Sequence, residues 1–197
     1  MRYPSFKLVL LAAVLLLGAT ARSQSVFTVT IQQSGSDVVA VGSGNFDSAD
    51  LTEFGVGNIS YTEVDPADGQ VTMGTNGPCV SFLGTFTGPA NFGPGGFTLS
   101  YAGYNGTSLS VQTAGNGNFY LYIATGYVSG TAVASSALFS GETLNSLGLT
   151  PGVYTDTYAA GGGIYNVDVL APTPEPGTLA LSAFGGLALL GLRRRQA

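Results

Sequence analysis

Between Ser23 and Leu192 this 197-residue chain has no lysine, no arginine and no histidine. Its six basic residues all sit near the ends: Arg2, Lys7 and Arg22 at one, and Arg193, Arg194 and Arg195 at the other. All eleven carboxylates fall in the stretch between. A body of that sign repels phosphate backbones and lacks the counterion-release term on which nucleic-acid affinity rests, so nucleic acid is excluded as a partner. The same absence removes Ser-His-Asp, Cys-His and lysine-based nucleophiles, together with every histidine metal site. Carboxylate pairs are what remain for catalysis. Glu53, Glu63 and Glu142 are available, but no spacing pairs them as a glycosidase requires. The expectation is therefore a body that is not an enzyme and has no cofactor and no metal. Asp65 and Asp68 in "VDPADGQ" do not have the spacing of an EF-hand loop, and a solvated turn explains both.

Tryptophan is absent as well, which removes the broadest aromatic platform for a ligand. Cys79 is the single cysteine, so no intrachain disulfide can form, and it reads as a small buried hydrophobe. Long apolar runs are also missing. Leu8 to Gly18 is too short to span a bilayer core of about 30 Å. Preceded by Arg2 and Lys7 and followed by Ala19-Thr20-Ala21, it has the layout of a secretory signal peptide over residues 1–21. Signal peptidase would cut before Arg22 or before Gln24.

What the body over residues 22–171 does have is glycine, at 30 residues in the whole chain, spread among Thr, Val, Tyr and Phe. In "SVFTVTIQQ" Phe27, Val29 and Ile31 alternate with threonines, the period of a half-buried strand, and "SGSD" turns the chain into "VVAVGSG". "DPADG" links two further runs as a turn. Asn105-Gly106 and Asn116-Gly117 each lie between alternating segments, and Asn-Gly favours the type I′ turn, so three consecutive antiparallel strands are expected over 95–126. "GVYTDTYAA" and "GIYNVDVLA" supply two more strands, and "ETLNSLG" suits a single helical turn. Eight to eleven short strands without a crossover helix predict an all-β fold, an antiparallel β-sandwich, jelly-roll-like or similar; period alone leaves a closed or solenoidal form open. On "NFYLYIA", Tyr120 and Tyr122 point away from Phe119, Leu121 and Ile123, and they are the candidate carbohydrate contacts. "NIS" at 58–60 and "NGT" at 105–107 match the glycosylation sequon, a pattern too short to decide anything.

Residues 172–197 form the tail "PTPEPGTLALSAFGGLALLGLRRRQA". Its 15-residue apolar run, Thr178 to Leu192, measures about 22 Å as a helix, short for a permanent span. Three arginines at about +2.5 to +3.5 kcal/mol each oppose export, so Arg193, Arg194 and Arg195 act as a cytoplasmic stop-transfer cluster. Pro174 and Pro176 keep "TPEP" extended, the form in which proteases bind chain.

Pro174-Glu175-Pro176, a short hydrophobic segment and a terminal basic cluster together closely resemble the PEP-CTERM sorting signal of Gram-negative bacteria. The resemblance implies that Pro174, Glu175 and Pro176 are recognition residues for exosortase, a membrane cysteine protease. Gly177 stands where that family commonly has Ser or Thr, with Thr178 one place later. Residues 126–158 also resemble a segment recurrent in the bodies of such proteins, which implies a shared fold and does not specify an activity. The tail's resemblance further implies export through the inner membrane, transient anchoring, and delivery to the outer envelope or extracellular matrix, with association to exopolysaccharide and biofilm. Two readings of the body follow: a structural or adhesive matrix component, or a carbohydrate-binding module with an exposed Tyr/Phe face.

Overall fold

The computed structural model describes residues 24–173, except Tyr101 and Ala160. The expected signal peptide over 1–21, the apolar tail segment, Pro174, Glu175, Pro176 and the three arginines lie outside the described residues. Among the described residues no helix is long and apolar enough to cross a membrane.

The described chain is all-β, in agreement with its alternating pattern. Its thirteen strands are β1 (Val26–Ser34), β2 (Asp37–Asn45), β3 (Thr52–Ile59), β4 (Thr62–Asp65), β5 (Gln70–Met73), β6 (Gly77–Thr87), β7 (Thr98–Ser100), β8 (Ala102–Gly106), β9 (Leu109–Ala114), β10 (Asn118–Ala124), β11 (Ala132–Phe139), β12 (Gly152–Tyr158) and β13 (Gly163–Val169). Rather than two unconnected sheets, they make one hydrogen-bonded path, β7-β4-β5-β9-β10-β6-β12-β13-β1-β2-β11-β8, with β3 branching from β6. The path is continuous because β6 serves both halves. Its residues 77–85 pair with β3 and β10, while Phe86 and Thr87 pair with Tyr158 and Thr157 of β12. The two ends of the path, β7 and β8, are neighbours in the chain with one residue between them, so the sheet wraps into a nearly closed barrel. β1 runs parallel to β13, from Val26↔Ile164 to Ile31↔Val169, so the first and last strands are locked side by side.

Two turn expectations are corrected. Asn105-Gly106 is not a hairpin: β8 pairs with β11, and β9 pairs with β5 and β10. Gly106 is required there for another reason. At φ 93°, a Cβ on it would lie 2.2 Å from the Ala134 carbonyl oxygen, so only glycine permits the crossing past β11. β9 and β10 do form the expected hairpin, but the loop has three residues. Gly117 N donates to Ala114 O at 3.0 Å and Gly117 alone takes positive φ (81°), so this is a type I turn closed by a left-handed glycine and not a type I′ turn. The hairpins at Gly35-Ser36 and at Pro66–Gly69 are as expected, and Asp65 accepts from Asp68 N within the second. "ETLNSLG" makes one turn, with Leu147 N donating to Thr143 O at 3.0 Å.

The interior face gathers Phe27, Val29 and Ile31 of β1, Val71 and Met73 of β5, Phe119, Leu121 and Ile123 of β10, and Val167 and Val169 of β13, all at most 2% exposed. At its centre Phe119 stacks on Tyr158 (4.4 Å between centroids, 7°) and Phe27 on Phe46 (4.5 Å). Fully burying side chains of this size stabilises by roughly 1.5–3 kcal/mol each. The Tyr158 hydroxyl is satisfied by Ser25 Oγ at 2.8 Å and by Asp47 N at 3.2 Å.

Candidate functional site

Six strands run side by side in the order β3-β6-β10-β9-β5-β4. In a flat sheet the two outer strands would lie about 24 Å apart, at five spacings of about 4.8 Å. Yet β3 and β4 are joined by Ser60 and Tyr61 alone, and the three Cα steps from Ile59 to Thr62 reach at most about 11 Å. This half of the sheet must therefore curl strongly, and the curl makes its second face concave.

That face carries the residues that alternate with the apolar core. Strand register aligns one row across it: Glu63↔Thr72 in β4 and β5, Thr72↔Ser110 to β9, Ser110↔Tyr122 to β10, Tyr122↔Ser81 to β6, and Ser81↔Gly55 to β3. Small, polar, β-compatible side chains normally mark a solvated face. Here curvature covers them: Glu63 is 1% exposed, Thr72 2%, Ser110 4% and Ser81 6%. The result is a groove of about 370 Å³, also lined by Gln70, Gln112, Tyr61, Asn58 and Cys79.

A hydrogen-bonded chain runs along one wall. Ser110 Oγ and Thr72 Oγ1 lie 2.7 Å apart, Thr72 Oγ1 donates to Glu63 Oε1 at 3.2 Å, and Gln70 Nε2 donates to the same oxygen. Glu63 Oε2 is buried without a hydrogen-bond partner among the described residues, an omission that costs about 1–3 kcal/mol. Burial pushes the Glu63 carboxyl above its ordinary range. The bonds from Thr72 and Gln70 pull against that rise, and the charge of Asp65 adds to it.

Aromatic rings flank the groove. Phe54, half exposed at 50%, meets Tyr120 and Tyr122 edge-on at 6.2 Å, and Tyr61 meets Phe97 edge-on at 6.1 Å. Burial raises the Tyr122 hydroxyl, with smaller contributions from Tyr120, Cys79 and Tyr61. Cys79 is a free, buried thiol, as its isolation in the sequence suggested; burial pushes its pKa up, only partly offset by a bond to the Gly57 backbone.

The structure thus treats the two tyrosines singled out from sequence differently. Tyr122 lines the groove, whereas Tyr120 sits beside Phe54, and its hydroxyl accepts from Asn118 Nδ2 at 3.2 Å. Gln70, Thr72, Ser110 and Gln112 escaped notice because polar residues at alternate strand positions read as an outer surface, and Glu63 stood out only as one of three glutamates that no spacing pairs. The uniformly acidic surface also needs amending, since two carboxylates, Glu63 and Asp156, are interior. Asp156 lies across from Tyr165 in the β12–β13 pair, and its Oδ1 and the Tyr165 hydroxyl are both buried without hydrogen-bond partners among the described residues. Desolvation raises Asp156 to about 7 and pushes Tyr165 far up.

After β13 the last backbone bond to the body is Leu170 N to Ile31 O at 2.9 Å, and Ala171, Pro172 and Thr173 are exposed. Among the described residues the last strand therefore ends just before Pro172. Residues 172–195 match the family model of the PEP-CTERM protein-sorting motif. The chain carries that motif, the mark of an exported protein that is held transiently at the membrane and sorted by exosortase. No curated protein and no solved structure matches the chain.

Proposed function

We propose that the chain is an exported, non-enzymatic component of the outer envelope or extracellular matrix, structural or adhesive within exopolysaccharide and biofilm. The observation that carries this reading is the junction at residues 170–173: every strand among the described residues is finished by Val169, and the sorting motif starts at Pro172. Removal of the tail after that point would leave each of the described strands with its partners. Signal peptidase at the first end and exosortase at the second are its processing partners. The non-enzymatic reading is supported by the lack of His and Lys between Ser23 and Leu192, and by Glu63 being the single carboxylate among the described residues that line the groove.

Intact mass spectrometry of the surface-exposed protein in its native host tests the sorting. The mature C-terminus is expected near Pro176, and Glu175→Ala or loss of exosortase should accumulate a membrane-bound form that keeps Arg193–Arg195. Full-length chains recovered from wild-type matrix would instead make the tail an ordinary anchor. The purified protein is expected to turn over no glycoside, ester or peptide substrate, and an activity abolished by Glu63→Gln would refute the non-enzymatic reading. A second reading, a carbohydrate-binding body, is favoured by one observation: the concave groove that holds Tyr122 beside buried hydroxyl and amide groups.

A further inference from the structure

We infer that the concave groove between β3 and β4 is a binding site for an uncharged saccharide segment, gripped by Glu63, Gln70, Gln112 and Ser110 and packed against Tyr122 and Tyr61. This deepens the second, carbohydrate-binding reading and rests on it. Four independent features converge on that ligand class.

The first is the cavity itself, which at about 370 Å³ has the size of a small-ligand site and is built on strands, with only Ser60 and Tyr61 of its lining in a connection. The second is charge. From Ser23 to Leu192 there is no cationic side chain, so a uronate, sulfate or phosphate group would find no counter-charge and would face Glu63. The third is hydrogen-bonding character. Amides at Gln70 and Gln112 both donate and accept, as do the hydroxyls of Thr72, Ser81 and Ser110, so the wall suits a ligand with closely spaced groups that also do both. A sugar ring has such groups along its edge and apolar C–H bonds on its faces. The fourth is what the wall leaves unfinished. Glu63 is 1% exposed, its Oε1 is occupied by Thr72 and Gln70, and its Oε2 has no hydrogen-bond partner among the described residues. A ligand hydroxyl supplies the missing bond. Tyr122 and Tyr61 provide ring surface for the C–H faces, and Phe54 holds Tyr122 from the side at 6.2 Å.

The test uses the full chain in a zwitterionic detergent without sugar headgroups, so that it does not depend on whether the tail is cleaved. Neutral hexasaccharides of glucose, mannose and galactose and a hexauronate are titrated calorimetrically. At least one neutral hexasaccharide is expected to bind and the hexauronate is not. Tyr122→Ala should weaken binding at least tenfold and Gln112→Ala at least threefold, while Glu63→Gln should shift the affinity. Thermal melting accompanies each variant. If Tyr122→Ala does not fold, Tyr122→Phe, expected to retain binding, and Gln112→Ala decide. The inference is overturned if no neutral hexasaccharide binds the folded chain at millimolar concentration, if the hexauronate binds as well as the neutral sugars, or if the folded groove variants bind unchanged. None of these outcomes bears on sorting, which the mass of the secreted protein decides separately.

Discussion

The two faces of the curled half-sheet are made by the same strands, and each has a buried row, yet the two rows are buried by different means. On the inner face Val71, Val111, Phe119 and Leu121 are buried because they are apolar. On the outer face Glu63, Thr72, Ser110 and Ser81 are buried because the sheet bends over them. The inner face is satisfied by contact alone. The outer face keeps a hydrogen-bonded row and one oxygen, Glu63 Oε2, without a partner. Burial that follows from curvature in place of hydrophobicity leaves polar groups with capacity to spare, which is what a binding site needs and a core avoids.

The contrast breaks first at the core. Phe119→Ala should cost about 3–5 kcal/mol, because it removes the ring stacked on Tyr158 at 4.4 Å and leaves a cavity between the two halves of the barrel. A urea titration should show either that loss or no cooperative transition; a change below about 1 kcal/mol would mean that the two halves do not depend on this stack.

The next effect comes from the one carboxyl placed on the wrong face. Asp156 is raised to about 7 from 3.8 by desolvation. A raised folded pKa means that the native state holds the proton more tightly than the unfolded chain does. Its contribution to stability is thus greatest below pH 4, falls as pH rises towards 7, and is level beyond that. Allowing for solvent screening, stability should be about 1–2 kcal/mol lower at pH 8 than at pH 5, and Asp156→Asn should flatten the profile. A melting temperature that rises between pH 5 and pH 8 would contradict this assignment.

In the groove the expected cost is smaller. Glu63→Gln keeps the shape, removes a desolvated acid and should change stability by less than about 1 kcal/mol at pH 7, in the stabilising direction if either. A loss above about 2 kcal/mol on melting would show the row to be structural. The smallest effect belongs to the outside. Val56 on β3 is 77% exposed, and Val56→Thr should stay within about 0.5 kcal/mol, while a large loss would reveal a packing partner for that edge.

Much of the molecule was legible locally. Alternation in "SVFTVTIQQ" set Phe27, Val29 and Ile31 on one face of a half-buried strand, and alternation in "NFYLYIA" set Phe119, Leu121 and Ile123 on one face against Tyr120 and Tyr122; all six apolar residues are buried. Tyr122 is on what proved to be the groove face. The tail announced itself by composition, and the match over residues 172–195 agrees with its Pro-Glu-Pro, apolar and arginine order. Absence was informative too: a stretch from Ser23 to Leu192 without Lys, Arg or His has little means of gripping an anion. What the chain could not disclose was who pairs with whom. Asn105-Gly106 has the composition of a hairpin turn but carries the chain across to β11, and eleven-residue β6 joins two halves that could have been separate sheets. Alternation is a property of neighbours two residues apart. Curvature depends on strands such as β3 and β4 meeting across four others, and only that long-range closure turned a polar strand face into a groove and buried Glu63 in its wall.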